Sequence, residues 1–143
     1  MRGSANRRRR LRWAVGVLLA VACGCGKPAG GGSASVRGTA SFHGRPLAGG
    51  TVVFVPDKER GATGPMLTAT VAEDGSFRFG NGEKKVAPGW YRVALADPPE
   101  WYGTETNGTA FPAALRRPDK SGLEREVKPG TDHVFEFTIE LTE

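Results

Sequence analysis

From residue 36 onward, apolar residues recur at every second position in short runs separated by glycine and proline. A period of two marks a strand with one face buried. Val36, Ala40 and Phe42 form the first run; Gly44 and Pro46 interrupt it, and Gly49-Gly50 closes a turn. Residues 51–55, TVVFV, are β-branched or aromatic with apolar side chains on both faces, which predicts a central strand. The stretch 35–56 is therefore expected to form the first hairpin. Leu67, Ala69 and Val71 alternate with Thr68 and Thr70 in a further strand. Asp74-Gly75 supplies the positive φ of a tight turn, and Phe77 and Phe79 flank Arg78 in a returning strand. After a polar loop at 80–85, Tyr91, Val93 and Leu95 share one face of a strand that Pro98-Pro99 ends. Leu123 and Val127 mark a half-exposed strand, and Pro129-Gly130 a turn. Phe135, Phe137, Ile139 and Leu141 then alternate with Glu136, Thr138 and Glu140 in the cleanest strand of the chain.

That makes about seven short strands and no persuasive helical period after residue 35; 113–117 offers one helical turn at most. Seven strands in roughly 100 residues predict a single all-β domain, an immunoglobulin-like antiparallel sandwich, with a partly closed barrel as the alternative. The 21 glycines and 10 prolines agree, favouring short elements and many turns.

The charge changes the picture at one end only. The formal net charge is +5, but Arg2, Arg7, Arg8, Arg9, Arg10 and Arg12, six of the twenty basic residues, all precede the first cysteine. Fourteen basic residues then face fifteen acidic ones, so the remainder carries −1 and a nucleic-acid partner is not expected. After the arginines comes an uncharged apolar run, 13–22, about ten residues long where a bilayer span needs roughly 20. Basic region, short apolar region and small residues describe an export signal.

The sequence LAVACGCG at 19–26 resembles the lipobox of bacterial lipoproteins, although Ala20 stands where the strongest lipoboxes have leucine. The resemblance implies cleavage before Cys23, with Cys25 as the alternative, and acylation of that cysteine. More than one acyl chain makes a stable anchor. The other readings are a plain secreted chain cut near Ala22 and a strained Cys23–Cys25 disulfide. Two cysteines without nearby histidines do not complete a metal site. The expected organisation is a lipoprotein signal at 1–22, the lipidated cysteine and a Gly/Ser-rich flexible linker at 23–35, and a folded domain at 36–143. Such a protein is exported and membrane-anchored, facing the periplasm or the cell exterior, with an envelope protein or a glycan as partner.

Within the domain, Val36-x-Gly-x-Ala-x-Phe42, Gly44-Arg-Pro-Leu-Ala-Gly-Gly-Thr-Val-Val-Phe54, Glu73-Asp-Gly-Ser-Phe77 and Pro88-Gly-Trp-Tyr-Arg-Val93 resemble the carboxypeptidase regulatory-like domain. The resemblance covers nearly all of 36–142 and implies a transthyretin-like, prealbumin-like sandwich. It implies a non-catalytic binding or scaffolding role and transfers no functional residues, because the shared motifs are turn chemistry.

Candidate chemistry is sparse, and neither a cofactor nor a metal is expected. A transthyretin-like hydrolase of the hydroxyisourate type needs clustered histidines and a Tyr-Arg-Gly-Ser C-terminus; this chain ends Ile-Glu-Leu-Thr-Glu and has only His43 and His133, both expected to be solvated. The serines stand in no nucleophile-elbow pattern. The irregular stretch 97–121 is the best place for a site. Trp101 and Tyr102, with Trp90 nearby, would stack on a sugar ring in a carbohydrate-binding module; alternatively Trp101 folds back to plug the sandwich. Arg116 and Arg117 would meet an anionic glycan or lipid headgroup, or stay solvated.

Overall fold

The computed structural model describes residues 32, 34–79, 85–103, 105–106 and 109–141. The export signal, Cys23 and Cys25, most of the linker and most of the 80–85 loop lie outside the described residues.

The strands are β1 (Val36–Phe42), β2 (Arg45–Pro46), β3 (Thr51–Pro56), β4 (Leu67–Thr70), β5 (Ser76–Phe79), β6 (Gly89–Ala96), β7 (Glu105–Thr106), β8 (Thr109–Ala110), β9 (Leu123–Val127) and β10 (His133–Ile139). They build an all-β sandwich of two four-stranded sheets, with β7 and β8 as a separate small hairpin. In the first sheet β1 is central, with β10 on one side and β2 and β5 on the other. The second sheet runs β4-β3-β6-β9, antiparallel throughout. All seven expected strands are present. Among the described residues no helix is long and apolar enough to cross a membrane.

Alternation sends Val36, Ala40 and Phe42 of β1, Val52 and Phe54 of β3, and Tyr91, Val93 and Leu95 of β6 into the space between the sheets. Thr51, Val53 and Val55 on the other face of β3 are half-buried, so this central strand is covered fully on one side only. At the centre of the core Phe54 meets Phe79, Tyr91, Phe135 and Phe137, at ring-centroid distances of 4.9 to 6.3 Å.

The pairing departs from expectation in four places. First, 35–56 is not one hairpin. His43 and Gly44, with φ of 48° and 72°, close a two-residue turn between β1 and β2. Two positive φ values match the right-handed twist of a tight hairpin. Strand β2 then stops at Pro46, which has no N–H for the ladder, and the chain crosses to the second sheet through Leu47 and Gly50. A Cβ at Gly50 would lie 2.5 Å from the Ala96 carbonyl oxygen, so the crossing needs glycine. Second, Asp74-Gly75 is also a crossing, because β4 and β5 belong to different sheets. Third, β1 and β10 are parallel, from Val36 opposite His133 to Phe42 opposite Ile139. This pair closes tightly at Gly38, where a Cβ would fall 1.9 Å from the Phe135 carbonyl oxygen. Fourth, Leu141 lies past the end of β10 and is exposed, so it does not extend the core face.

The chain enters at one end of the sandwich. Ala34 is buried and exchanges backbone hydrogen bonds with Val86, which brings the last residues of the linker segment into the fold. The opposite end is capped by Leu47, Trp101, Phe111 and Leu115, with Phe111 edge-on to Phe42 at 5.2 Å.

Two exposed carboxylates link the turns to pH. Hydrogen bonds from Ser76, side chain and backbone, hold the Asp74 carboxyl below its ordinary 3.8. The Ser35 hydroxyl does the same for Asp132, helped by the charge of Arg37. A pKa lower in the folded chain than in the unfolded one adds stability above the unfolded value and loses it as pH falls through the folded value. The midpoint temperature is therefore expected to decline as pH falls below about 4. Asp74→Asn with Asp132→Asn should flatten that decline; an unchanged slope in the double variant would count against the assignment.

Candidate functional site

The described residues of the stretch 97–121, where a site was expected, fold back over one end of the sandwich. They are largely ordered by their own contacts. Trp101 ends the short 3-10 turn Pro99–Trp101 and is 6% exposed, with the Arg45 guanidinium 4.2 Å from the centre of its ring. Its face plugs the sandwich and is not presented to a sugar. Trp90 stands near the start of β6, at the other end of the molecule, under the Arg60 guanidinium at 4.6 Å. The two tryptophans thus share no surface. Tyr102 is the exposed aromatic, at 58%.

Arg116 and Arg117 diverge. Arg116 closes the 3-10 turn Ala113–Arg116 and turns inward, where Nε and Nη2 donate to the two carboxylate oxygens of Asp97 at 2.7 and 2.8 Å. Asp97 is buried. This hydrogen-bonded pairing raises the Arg116 pKa and fixes the guanidinium 5.3 Å from the Tyr102 ring and 5.6 Å from that of Phe111. A forked charge-assisted pair is a strong interaction, and it makes Arg116 a brace. Arg117 reaches Asp119 at 2.9 Å on the surface. A second charged cluster also closes on itself: buried Asp57 accepts from the Glu59 backbone and pairs with Arg92 and Arg60.

The histidines are not simply solvated. His43 is largely covered, edge-on to Phe42, with Nδ1 3.2 Å from Glu140. His133 stacks on Phe135, and its Nε2 accepts the Lys128 backbone N–H at 2.9 Å. They stand at opposite ends of the β1–β10 pair, seven residues or about 23 Å apart. The histidine cluster a transthyretin-like hydrolase requires is not assembled. Among the described residues no three His, Cys, Asp or Glu side chains are grouped to hold a metal.

The site that sequence reasoning missed lies on the outer face of the first sheet. A groove of about 470 Å³ runs across β1 and β5, lined by Arg37, Thr39, Thr70, Ser76, Arg78 and Val134 among others. Arg37 and Arg78 are directly opposed across the β1–β5 pair, and Thr39 and Ser76 form the next row. Alternation shows that each of these side chains points outward. Their juxtaposition depends on a register between strands 40 residues apart.

Fold and surface together define a class: a small all-β sandwich with an ordered cap at one end and a cationic groove on one sheet. Comparison of the chain with protein-family models, with curated proteins and with solved structures gives no match.

Proposed function

We propose that the protein is an exported, lipid-anchored envelope lipoprotein whose sandwich, of the carboxypeptidase regulatory-like, transthyretin-like type, binds or scaffolds and performs no catalysis. The observation that carries this reading is the polarity of the fold. The chain enters the sandwich at Ala34, next to the Gly/Ser-rich stretch, whereas Trp101, Tyr102 and Arg116 cap the far end. Strand β1 alone separates the ends by about 20 Å. A tether attached before Ala34 would hold that cap away from the membrane and leave the sheet faces accessible to an envelope partner. The basic run, the short apolar run and Cys23 supply the anchor in this reading.

Mass spectrometry of the membrane fraction tests it. The mature N-terminal peptide is expected to begin at Cys23 and to carry acyl chains, and Cys23→Ser should abolish that species. Acylation at Cys25 would move the cleavage site and keep the anchor. A mature chain with neither cysteine acylated would refute the anchor.

A further inference from the structure

We propose that the Arg37–Arg78 groove binds a phosphate-type oxyanion carried on a small organic group. The first support is electrostatic. Like charges directly opposed across an antiparallel pair destabilise a sheet, and neither arginine has a carboxylate within 4.0 Å among the described residues. Arg60, Arg92, Arg116 and Arg117 each have one. Asp132 lines a small adjoining pocket with both arginines and feels the charge of Arg37, but it forms no ion pair with either and accepts from Ser35; Glu136 sits one row away, opposite Thr39. A local rule broken without a compensating ion pair points to a functional position.

The second support is donor geometry. Directly opposed residues place their Cα atoms about 5 Å apart, so two guanidinium groups reach one anion. Each is a planar fork suited to phosphate oxygens. The hydroxyls of Thr39 and Thr70 line the same groove and add neutral donors, whereas that of Ser76 is held by Asp74. Together they suit an anion with several acceptor oxygens. The third support is size and lining. A volume of 470 Å³ exceeds a bare phosphate, and Gly38, Ala72 and exposed Val134 give the rest of the groove an apolar surface. An organic phosphate ester matches both parts.

The proposal rests on the sandwich being a binding module and not on its acylation. An unacylated chain leaves the groove to be tested as before, and an empty groove leaves the anchor standing. The test follows amide NMR shifts of the full-length chain in zwitterionic detergent, titrated with inorganic phosphate and with glycerol 1-phosphate. Shifts are expected at 37–39 and 76–78, with glycerol 1-phosphate the tighter ligand and both weakened by added salt. Arg37→Gln should weaken binding about tenfold or more, as expected for loss of a charge-assisted bond. Arg78→Glu is the decisive variant. It should abolish binding while raising the melting temperature, because it places opposite charges across the pair. Two sources of the ester are separated with a Cys23→Ser, Cys25→Ser chain. Sedimentation with phosphatidylglycerol but not phosphatidylcholine vesicles, competed by glycerol 1-phosphate and lost in Arg78→Glu, identifies a lipid headgroup in the groove; glycerol 1-phosphate binding without such sedimentation identifies a soluble ester. Binding unaffected by Arg78→Glu, or no binding to any of the three probes, overturns the proposal.

Discussion

Phe54→Ala is expected to lower the free energy of unfolding by about 4 kcal/mol, the usual range for emptying a phenylalanine site in a core being about 3–5 kcal/mol. Phe54 is fully buried on β3 and touches rings from both sheets: Tyr91 from its own, and Phe79, Phe135 and Phe137 from the other. Removing it opens a cavity where the sheets meet, and the surrounding rings are held by their strands and cannot collapse into it. The loss would include both transfer energy and the ring–ring contacts, each worth about 1 kcal/mol beyond area. Domains of this size are stable by about 5–15 kcal/mol, so the variant is expected to be marginal at 37 °C. Urea unfolding measures this, and Phe54→Leu should recover more than half of the loss. A loss below about 2 kcal/mol would mean that the sheets close over the site.

Arg116→Ala is expected to cost about 3 kcal/mol, because it leaves the Asp97 carboxylate buried without its fork. The figure sits at the low end for a broken buried pair. Asp97 is about 1% exposed, but Arg116 is 37% exposed, so water reaches part of the site. Arg117→Ala, next in the chain, is expected to change stability by no more than about 0.5 kcal/mol, since its pair with Asp119 is on the surface. The contrast separates a brace from a ligand-binding arginine, which would alter binding and leave stability nearly unchanged. Asp97→Asn combined with Arg116→Met should recover part of the loss, because it removes the charge that Arg116→Ala strands. Equal effects of Arg116→Ala and Arg117→Ala would contradict the role assigned to Asp97.

These two residues show how far local pattern reaches. Phe54 was legible as core, since TVVFV at 51–55 declares a buried strand by composition. That it would meet Phe135 and Phe137, some eighty residues on, was not legible. Arg116 and Arg117 look alike in sequence, and only the return of the 97–121 segment over the end of the sandwich sets one against Asp97 and the other against Asp119. Trp101 was readable as a plug or as a ligand platform, and its burial decides for the plug.

By itself the sequence determined where the seven principal strands lie, most of the residues that face inward, where the chain turns, and that its basic, apolar and glycine-rich N-terminal portion differs from the rest. Each of these is a property of a few neighbouring residues: a period of two, a φ that glycine or proline permits, a local charge. Only the tertiary structure decided which strands pair. The supposed first hairpin became a tight β1–β2 turn and a crossing, β1 took β10 as a parallel neighbour, and Arg37 came to face Arg78. Pairing and register depend on the path of the intervening chain and on how the two sheets share one core, and alternation along a single strand carries no record of its partner.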